Sequence, residues 1–380
     1  MLTQVHERID DISAGEWDAL AGVDPFLRHG FLAALEHSGS VCRGTGWQPL
    51  HLTCRDAAGG LVGALPLYLK SHSYGEFVFD WAWADAYQRH GLRYYPKLVC
   101  AVPFSPVGGH RLLLAPGAGR SEAARRLIDK ALELARELRA SSVHCLFPLE
   151  EELPDWTAAG FLTRRDCQFH WHDRGYRDFE HFLEGFTADK RKKVHRERRR
   201  IAEAGIRLEA VLGGELDARL MDALYRFYVA TYEKRGRPSY LTRALFEELA
   251  RRMPDSLVIF FAFHGDTPVA AAICLQGGDT LYGRHWGSER EFHSLHFETC
   301  YYQGIEYCIR TGLKHFNPGT QGEHKISRGF EPVYTYSTHW LARPEFRAAI
   351  DEYLRREQHQ IDAYFHETEA HLPFHAPREP

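Results

Sequence analysis

The densest group of potential proton carriers in this chain lies between positions 282 and 325. A histidine, or a glutamate removed from water, can have a pKa near neutrality and can then take the proton that an amine loses as it attacks a carbonyl. We rank Glu298 first and His285 second for this role, with His296 as a further catalytic candidate. Tyr282 or Tyr301 is expected to donate a proton to a leaving group. The alternative for each residue is a structural hydrogen bond to loop backbone. The full set of carriers is His285, His296, Glu298, Glu323, His324 and Lys325.

The spacing of these residues does not favour a metal site. His293 and His296 can meet on one face of a helix, but Glu298 points elsewhere, and the H-E-x-x-H spacing of a zinc protease is absent. The chain also lacks the G-x-S-x-G elbow of hydrolases and the Walker loop of NTPases. We therefore predict no metal and no tightly bound cofactor.

A strongly basic segment lies upstream of the proton carriers. Eight of the eleven residues 190–200 are lysine or arginine, against one glutamate, within a helix predicted from about Asp178 to Ala204 and ended by Gly205. One interpretation is a solvated face that pairs with neighbouring acids. The other is a docking strip for phosphate on a nucleotide carrier, a lipid pyrophosphate or RNA, with Lys192 and Lys193 as substrate-binding candidates.

A glycine loop opens a helix in the first half of the chain. Gly117, Gly119 and Arg120 precede an amphipathic helix for which Ser121 is the expected N-cap. Backbone N–H groups and the helix dipole favour a bound phosphate at such a place. A surface turn without a ligand is the alternative, because Pro-Gly and Gly-Arg are ordinary turn residues.

The elements that carry these residues occur twice. Each half has a strand, a loop ending in Gly-Phe and, ten residues later, a His-Trp pair, after an upstream hairpin and helix. This order predicts a duplication, with lobes at 1–174 and 175–380, an aromatic-rich insertion at 71–106 and a C-terminal helix over 344–370. The matched segments are His144–Pro148, Gly160-Phe161 and His170-Trp171 in the first half, and His315–Pro318, Gly329-Phe330 and His339-Trp340 in the second.

Composition sets the remaining limits. The net charge of -4 gives no global attraction to nucleic acid or membrane, so any polyanion site has to be local. The eight cysteines occur singly, which favours small core residues in a reducing compartment. The sequence shows no signal peptide and no apolar run long enough to cross a bilayer, so a cytoplasmic location is expected. The oligomeric state stays open.

The pattern of helices, an antiparallel three-strand meander, a helix and two further strands resembles the GNAT N-acyltransferase fold. Two such units in tandem resemble the FemABX arrangement, and several segments are similar to the FemAB-like predicted N-acyltransferases, which are peptidoglycan-biosynthesis-like proteins. The segments that carry this resemblance are Pro103–Arg111, Phe186–Lys193, Tyr282–Gly287, Leu295–Glu298 and Gln321–Lys325.

The resemblance implies an α/β (α+β) fold of two tandem GNAT-like lobes, each a mixed, mostly antiparallel sheet flanked by helices. It also implies that the proton carriers converge on one cleft of the second lobe, where Arg284, Trp286, Glu323, His324 and Lys325 would bind substrate.

In the GNAT fold a glycine loop receives the pyrophosphate of acyl-CoA, which implies this role for Gly117, Gly119 and Arg120. The family pattern has Arg or Gln three residues before the first glycine, whereas this chain has Leu114 there. The equivalent stretch of the second half, 287–293, lacks a glycine pair.

The resulting expectation is an N-acyltransferase that moves an acyl or aminoacyl group from acyl-CoA or aminoacyl-tRNA to an amine. The acceptor would be a small molecule or a cell-wall precursor. One alternative is FemABX-like, tRNA-dependent addition of an amino acid to a peptidoglycan precursor. The other is a non-catalytic protein that binds RNA or another anionic ligand.

Overall fold

The computed structural model describes residues 1–320 and 322–375. The chain divides into two compact units, and neither is a single stretch of sequence. The first comprises Met1–Cys167 and Tyr334–Ala363, and the second comprises Gln168–Val333 and the residues from Tyr364 onward. The sequence prediction of one boundary after residue 174 did not include this return of the chain to the first unit.

The described residues form fifteen strands. They are β1 Leu2–His6, β2 Trp47–Pro49, β3 His51–Arg55, β4 Leu61–Leu65, β5 Leu67–Lys70, β6 Lys97–Cys100, β7 Leu113–Leu114, β8 Ser142–Leu146, β9 Leu162–His172, β10 Ile206–Leu212, β11 Leu257–His264, β12 Thr267–Gly277, β13 Thr280–Ser288, β14 His315–Asn317 and β15 Glu331–Leu341.

The same residues form twelve α-helices. They are α1 Ala14–Ala21, α2 His29–His37, α3 Trp81–Arg89, α4 Arg120–Glu137, α5 Leu153–Ala158, α6 Phe179–Glu184, α7 Ala188–Glu203, α8 Ala218–Glu233, α9 Arg243–Arg252, α10 Leu295–Phe297, α11 Gln303–Thr311 and α12 Pro344–Ala370. A π-helical turn, Glu298–Tyr302, joins α10 to α11. The 3-10 helices are Ile9–Asp11, Arg43–Thr45, Glu150–Glu152, Gly213–Glu215 and Glu323–Arg328.

The first unit contains two groups of paired strands. One is a four-stranded sheet in the order β1-β3-β4-β7, and the other has the order β15-β8-β6-β5-β2. In the second group β6 and β8 run parallel, whereas the neighbouring pairs are antiparallel. The apolar face of α4, which includes Leu127 and Ala131, packs on these strands with Leu52 and Leu98 in one buried cluster. Burial of this face holds the helix in place.

The aromatic insertion of the first unit mainly supplies packing. Trp83, Tyr87 and Tyr94 are buried with Phe346 and Ile350 of α12 in a separate cluster. Rings of this size contribute much buried area, so the insertion and the start of α12 stabilise each other.

The second unit has the strand order β10-β11-β12-β13-β14-β9. The upstream hairpin of the second half is β11 and β12, which turn near residue 265, and β13 completes the antiparallel meander. β13 and β14 run parallel and pair only over three positions, which end at Tyr282 and Asn317. β13 continues to Ser288 beyond that point, so the two strands separate. A β-bulge at Arg284 bends β13 where the separation begins.

Two details of the sequence prediction were wrong. The helix expected from about Asp178 to Ala204 is two helices, α6 and α7, because the chain breaks at Gly185 and residue 187 starts a new helix. Phe186, in the break, is fully buried. The glycine-loop helix begins at Arg120 with Gly119 as its N-cap, so Ser121 is inside the helix.

No helix of the described residues is long and apolar enough to span a bilayer.

Candidate functional site

Helix α7 packs through one narrow stripe. Val194, Glu197 and Ile201 are buried, at the spacing of one helix face. Glu197, the one acid among residues 190–200, accepts hydrogen bonds from Arg328 at 2.8 and 2.9 Å and from the Tyr302 hydroxyl. Arg328 is 2% exposed, so this is a buried ion pair. It fixes α7 against the 3-10 helix Glu323–Arg328.

Arg328 also orients the loop that carries His324. Its guanidinium lies 3.5 Å from the centroid of the Phe297 ring and donates a hydrogen bond of 2.7 Å to the His324 carbonyl. The sequence analysis missed both Arg328 and Glu197. A signal was present for Glu197, because a single acid inside a basic run has to be paired or solvated. No comparable signal marked Arg328.

Four side chains meet beside this ion pair, and they come from β13, α10, the π-helical turn and the 3-10 helix Glu323–Arg328. The Tyr301 hydroxyl and His324 Nε2 lie 2.8 Å apart. The His296 ring packs edge-on against Trp286, Tyr301 and His324, with centroids 5.5, 5.4 and 5.9 Å away. We call Trp286, His296, Tyr301 and His324 the ring cluster. The structure thus brings together four of the residues that the sequence selected from β13, the helix after it and the 322–325 loop.

The pKa values of the ring-cluster side chains are shifted in opposite directions. Burial, with smaller contributions from the neighbouring His324, Arg328 and Lys325, lowers the pKa of His296 to about 4. The pKa of His324 is also lowered, by burial and then by Arg328 and Lys325. Burial raises the pKa of Tyr301 above its usual range. At neutral pH the cluster is therefore uncharged, with Tyr301 protonated.

Lys325 lies next to the ring cluster along the chain and is 1% exposed. Its Nζ donates a hydrogen bond to the Gly319 carbonyl. Burial, with a smaller contribution from the Arg284 charge, lowers its pKa to about 7. Gly319 lies against β13, because a Cβ at Gly319 would meet the Gly283 carbonyl oxygen at 3.4 Å. Lys325 is therefore held beside the region where β13 and β14 separate, and both of its protonation states are populated near neutrality.

Glu298 has a different set of partners. Its carboxylate is 3% exposed, lies 3.2 Å from Arg198 and accepts a 2.8 Å hydrogen bond from Gln303. Its second oxygen, Oε2, is buried with no hydrogen-bond partner among the described residues. Burial raises the pKa of Glu298, against the opposing effect of Arg198. Glu298 faces α7, and no hydrogen bond or ion pair in the described residues joins its carboxylate to the ring cluster.

His285 of β13 packs against α8, where its ring centroid lies 5.0 Å from that of Tyr228. Burial, with a smaller contribution from Arg284, lowers its pKa to about 3, which makes it a weak base at neutral pH. Burial likewise lowers the pKa of Arg284, to about 10. Tyr282 stands at the last pairing position of β13 with β14. Glu323 is exposed and accepts a hydrogen bond of 3.1 Å from Tyr364.

The charge of α7 is largely unpaired. Eight residues at 190–200 are lysine or arginine. Among them, Arg198 alone forms ion pairs with other residues of 1–320 and 322–375. Its partners are Glu298 and Glu306. Lys193 is close enough to His324 for its charge to lower the pKa of that histidine. The unpaired cations are Lys190, Arg191, Lys192, Lys193, Arg196, Arg199 and Arg200.

The glycine loop belongs to the first unit, so it is not part of this set. Gly117, Gly119 and Arg120 are exposed. The strand that leads into the loop, β7, pairs with β4 in the four-stranded sheet, not with the parallel pair β6 and β8.

In the part of the chain that the structure describes, no group of three or more His, Cys, Asp or Glu side chains is arranged to hold a metal ion.

Comparison with known proteins identifies the family. The model of the FemAB-like family, described as peptidoglycan biosynthesis/recognition, matches residues 8–376. The chain belongs to the FemAB-like family. A search of curated proteins found no match to this FemAB-like protein.

Solved structures match it over almost its whole length. FemX is 13% identical with a TM-score of 0.55, covering 92% of this chain and 100% of FemX. The C-terminal domain of a putative lysylphosphatidylglycerol synthetase from Agrobacterium fabrum is 9% identical with a TM-score of 0.54, covering 90% of this chain and 96% of that domain. L-PGS from Bacillus licheniformis is 11% identical with a TM-score of 0.52, covering 87% and 96%. These likenesses concern the fold. The prediction of two tandem GNAT-like units in a FemAB-like protein is confirmed.

Proposed function

We propose that this FemAB-like protein transfers an aminoacyl or acyl group from a polyanionic carrier to the amine of a peptidoglycan precursor. Aminoacyl-tRNA is the first candidate for the carrier, and acyl-CoA is the second. The family description and the fold of the chain support a transferase in this area of metabolism.

The observation that carries the proposal is the unpaired charge of α7 beside the ring cluster. A solvated face that serves stability alone would pair its cations with nearby acids, as Arg198 does with Glu306 at 2.7 Å. Seven cations of α7 that form no ion pair with any other described residue instead suit a ligand with several phosphates. Lys193 connects this surface to the ring cluster through its proximity to His324. A tRNA has many phosphates along its backbone, whereas CoA has three.

Catalysis would need one proton acceptor and a polarised carbonyl. The acceptor amine has to lose a proton, and a base is most effective when its pKa lies near the working pH. Lys325, with its pKa lowered to about 7, meets that condition and is our first candidate. Glu298 is the second, because its pKa is raised and its Oε2 is unpartnered. Backbone N–H groups of β13 past Tyr282, where pairing with β14 has ended, would polarise the carbonyl.

The other residues selected from the sequence have supporting roles in this scheme. Tyr301 and His324 would share a proton and deliver it to the leaving group across their 2.8 Å contact. His285 and His296 would remain neutral and shape the site, since their pKa values are lowered to about 3 and about 4. Trp286, Arg284 and Tyr282 would line the region where the strands separate, and Glu323 would lie at its exposed margin.

The test is binding and transfer with tRNA. Aminoacylated and deacylated tRNA are titrated against the purified chain at several salt concentrations, with acetyl-CoA in parallel. We expect log Kd for tRNA to rise with log salt, and the variant K192Q/K193Q/R196Q/R199Q to show a shallower slope and weaker binding. The matched control is R207Q/R226Q/R243Q/R251Q, which removes four arginines outside α7 and should leave the slope unchanged.

One result would change the proposed carrier, and two would contradict the proposal. Binding of acetyl-CoA without binding of tRNA would move the carrier to the second candidate. Equal salt slopes in the α7 variant and its control would remove α7 from the donor site. Tight tRNA binding without transfer to any amine, including UDP-linked peptidoglycan precursors, would favour the remaining alternative, a non-catalytic protein that binds RNA.

A further inference from the structure

A cavity of about 650 Å³ lies within the first unit. It forms where the C-terminal end of α4, the start of β8, the end of β15 and the start of α12 meet. Its volume falls in the range of pockets that hold small molecules, roughly 300 to 1,000 Å³. The lining residues that matter here are Tyr87, Arg93, Arg136, Arg139, Arg343 and Glu345.

The charge of this cavity is strongly positive. Four arginines line it against one glutamate. Arg343 lies 3.3 Å from Glu345. Within residues 1–320 and 322–375, Arg93, Arg136 and Arg139 form no ion pair. The Arg136 guanidinium lies 5.8 Å from the centroid of the Trp340 ring, which also lines the cavity.

The helix dipole of α4 explains the positions of only two of the four arginines. Arg136 is in the last turn of α4 and Arg139 comes just after its C-cap, Leu138, and cations near a helix C-terminus interact favourably with the helix dipole. Arg93 comes from the aromatic insertion, and Arg343 precedes α12. Neither belongs to α4, so the convergence of all four arginines has no explanation in one helix terminus.

Tyr87 supplies a second and independent observation. Its side chain is 2% exposed, and its hydroxyl is buried without a hydrogen-bond partner among the described residues. The ring is held by Phe346, with centroids 4.0 Å apart, and by Tyr94, with centroids 5.2 Å apart. A buried hydroxyl without a partner has a cost, which a ligand in the cavity would remove. Burial raises the pKa of Tyr87 to about 12, so at neutral pH the hydroxyl keeps its proton and can donate it.

We propose that this cavity binds the phosphoryl group of a small phosphorylated molecule. Guanidinium groups match the geometry of phosphate oxygens with paired N–H donors, and the Tyr87 hydroxyl supplies a further donor. Glu345 is the one acid in the lining and pairs with Arg343, so it competes with the ligand for that arginine. This site is in the first unit and is independent of the transfer chemistry proposed for the second.

Isothermal titration of the full chain with inorganic pyrophosphate and with ADP tests the site, together with sedimentation of phosphatidylglycerol vesicles. At least one probe should bind. Equal affinity for pyrophosphate and ADP would identify an inorganic ligand, and tighter binding of ADP would identify a nucleotide. Binding to vesicles alone would identify a lipid headgroup.

Variants locate the binding. R93Q/R136Q should weaken binding by roughly tenfold or more, the cost of losing hydrogen bonds to a charged group. Y87F should weaken it by about threefold to tenfold, the worth of one neutral donor, without altering charge. E345Q should strengthen it. R125Q is the matched control, because Arg125 is an exposed arginine of α4 that does not line the cavity.

The proposal is overturned if none of the probes binds the wild-type chain. It is also overturned if R125Q weakens binding as much as R93Q/R136Q, or if E345Q weakens it. Binding of an RNA hairpin with no binding of pyrophosphate, ADP or vesicles would overturn it as well, because the surface would then recognise a nucleic acid and not a small phosphorylated molecule.

Discussion

His144 Nδ1 lies 2.7 Å from His339 Nδ1, although the two histidines are 195 residues apart in the sequence. They face each other across the antiparallel pair β8 and β15 in the first unit. The second unit contains a contact of the same kind, His172 Nδ1 to His315 Nδ1 at 3.0 Å, across β9 and β14. Each unit is thus completed by a strand from the opposite half of the sequence. In both units two imidazoles share one hydrogen bond at that junction.

The buried pair of His144 and His339 predicts that the free energy of unfolding falls in acid. Burial lowers the pKa of His144 to about 3 and that of His339 well below its usual value. Between those values and about 6.5, the unfolded chain binds more protons than the folded chain, so stability falls as the pH falls. We expect a loss of about 2 kcal/mol per histidine between pH 7.5 and pH 5, measured by urea unfolding.

The double variant H144Q/H339Q should show a weaker dependence of the free energy of unfolding on pH. H359Q, which removes an exposed histidine of α12, should keep the dependence of the wild type. An unchanged dependence in the double variant would show that other groups cause the acid sensitivity.

The Glu197–Arg328 pair should be a major determinant of stability in the second unit. Both side chains are buried, and removing one partner leaves the other charge without compensation. E197Q or R328M alone should cost about 3 to 5 kcal/mol in chemical denaturation, whereas E197Q/R328M should cost less than the sum. The exposed pair Arg226–Glu289 is the control, and E289Q should cost at most about 1 kcal/mol. Similar costs for E197Q and E289Q would refute this prediction.

Gly287 is required for the contact between β13 and α8. A Cβ at this position would lie 1.8 Å from the Phe227 carbonyl oxygen, which is backbone and cannot move aside. G287A should therefore lower the free energy of unfolding by about 3 kcal/mol and disturb the Thr231–Trp286 hydrogen bond beneath the ring cluster. G15A is the control, since nothing lies within 4 Å of that position. It should change stability by at most about 1 kcal/mol, in the stabilising direction. A G287A chain as stable as G15A would be inconsistent with the close contact.

The pH dependence of transfer distinguishes the two proposed bases. Lys325 has a pKa lowered to about 7, and its neutral form accepts a proton, so the rate should rise with pH through about 7. K325M should lose this rise and reduce kcat by roughly 10² to 10⁴, the usual contribution of a general base. Its salt-dependent binding of tRNA should persist.

E298Q is the companion variant in the same assay. It should keep the rise through about pH 7 if Lys325 is the base. Loss of the rise in E298Q, with its retention in K325M, would assign the base to Glu298, the first choice from sequence. Retention of the full rate in both variants would exclude both assignments.

The sequence by itself determined the elements and the fold class. Apolar periodicity and turn residues depend on neighbours in the chain, so the sequence predicted a hairpin in each half, which in the second half is β11 and β12. Gly312 ends α11 in a left-handed conformation, the usual role of a glycine that follows a helix. The charge run of α7 was also visible, and the repeated motifs indicated the tandem arrangement. All four members of the ring cluster were named from the sequence, His296, Tyr301 and His324 as proton carriers or donors and Trp286 as a substrate-binding residue.

Only the tertiary structure decided which of those residues meet. Glu298 and His296 are two positions apart, yet helical geometry directs Glu298 to Arg198 and His296 to Trp286. Likewise, Lys325 acquires a pKa of about 7 from burial, which no local pattern of the sequence encodes. The pairing of β9 with β14 and of β15 with β8 joins segments that are well over one hundred residues apart. Periodicity reports which residues are buried, whereas long-range packing selects their partners.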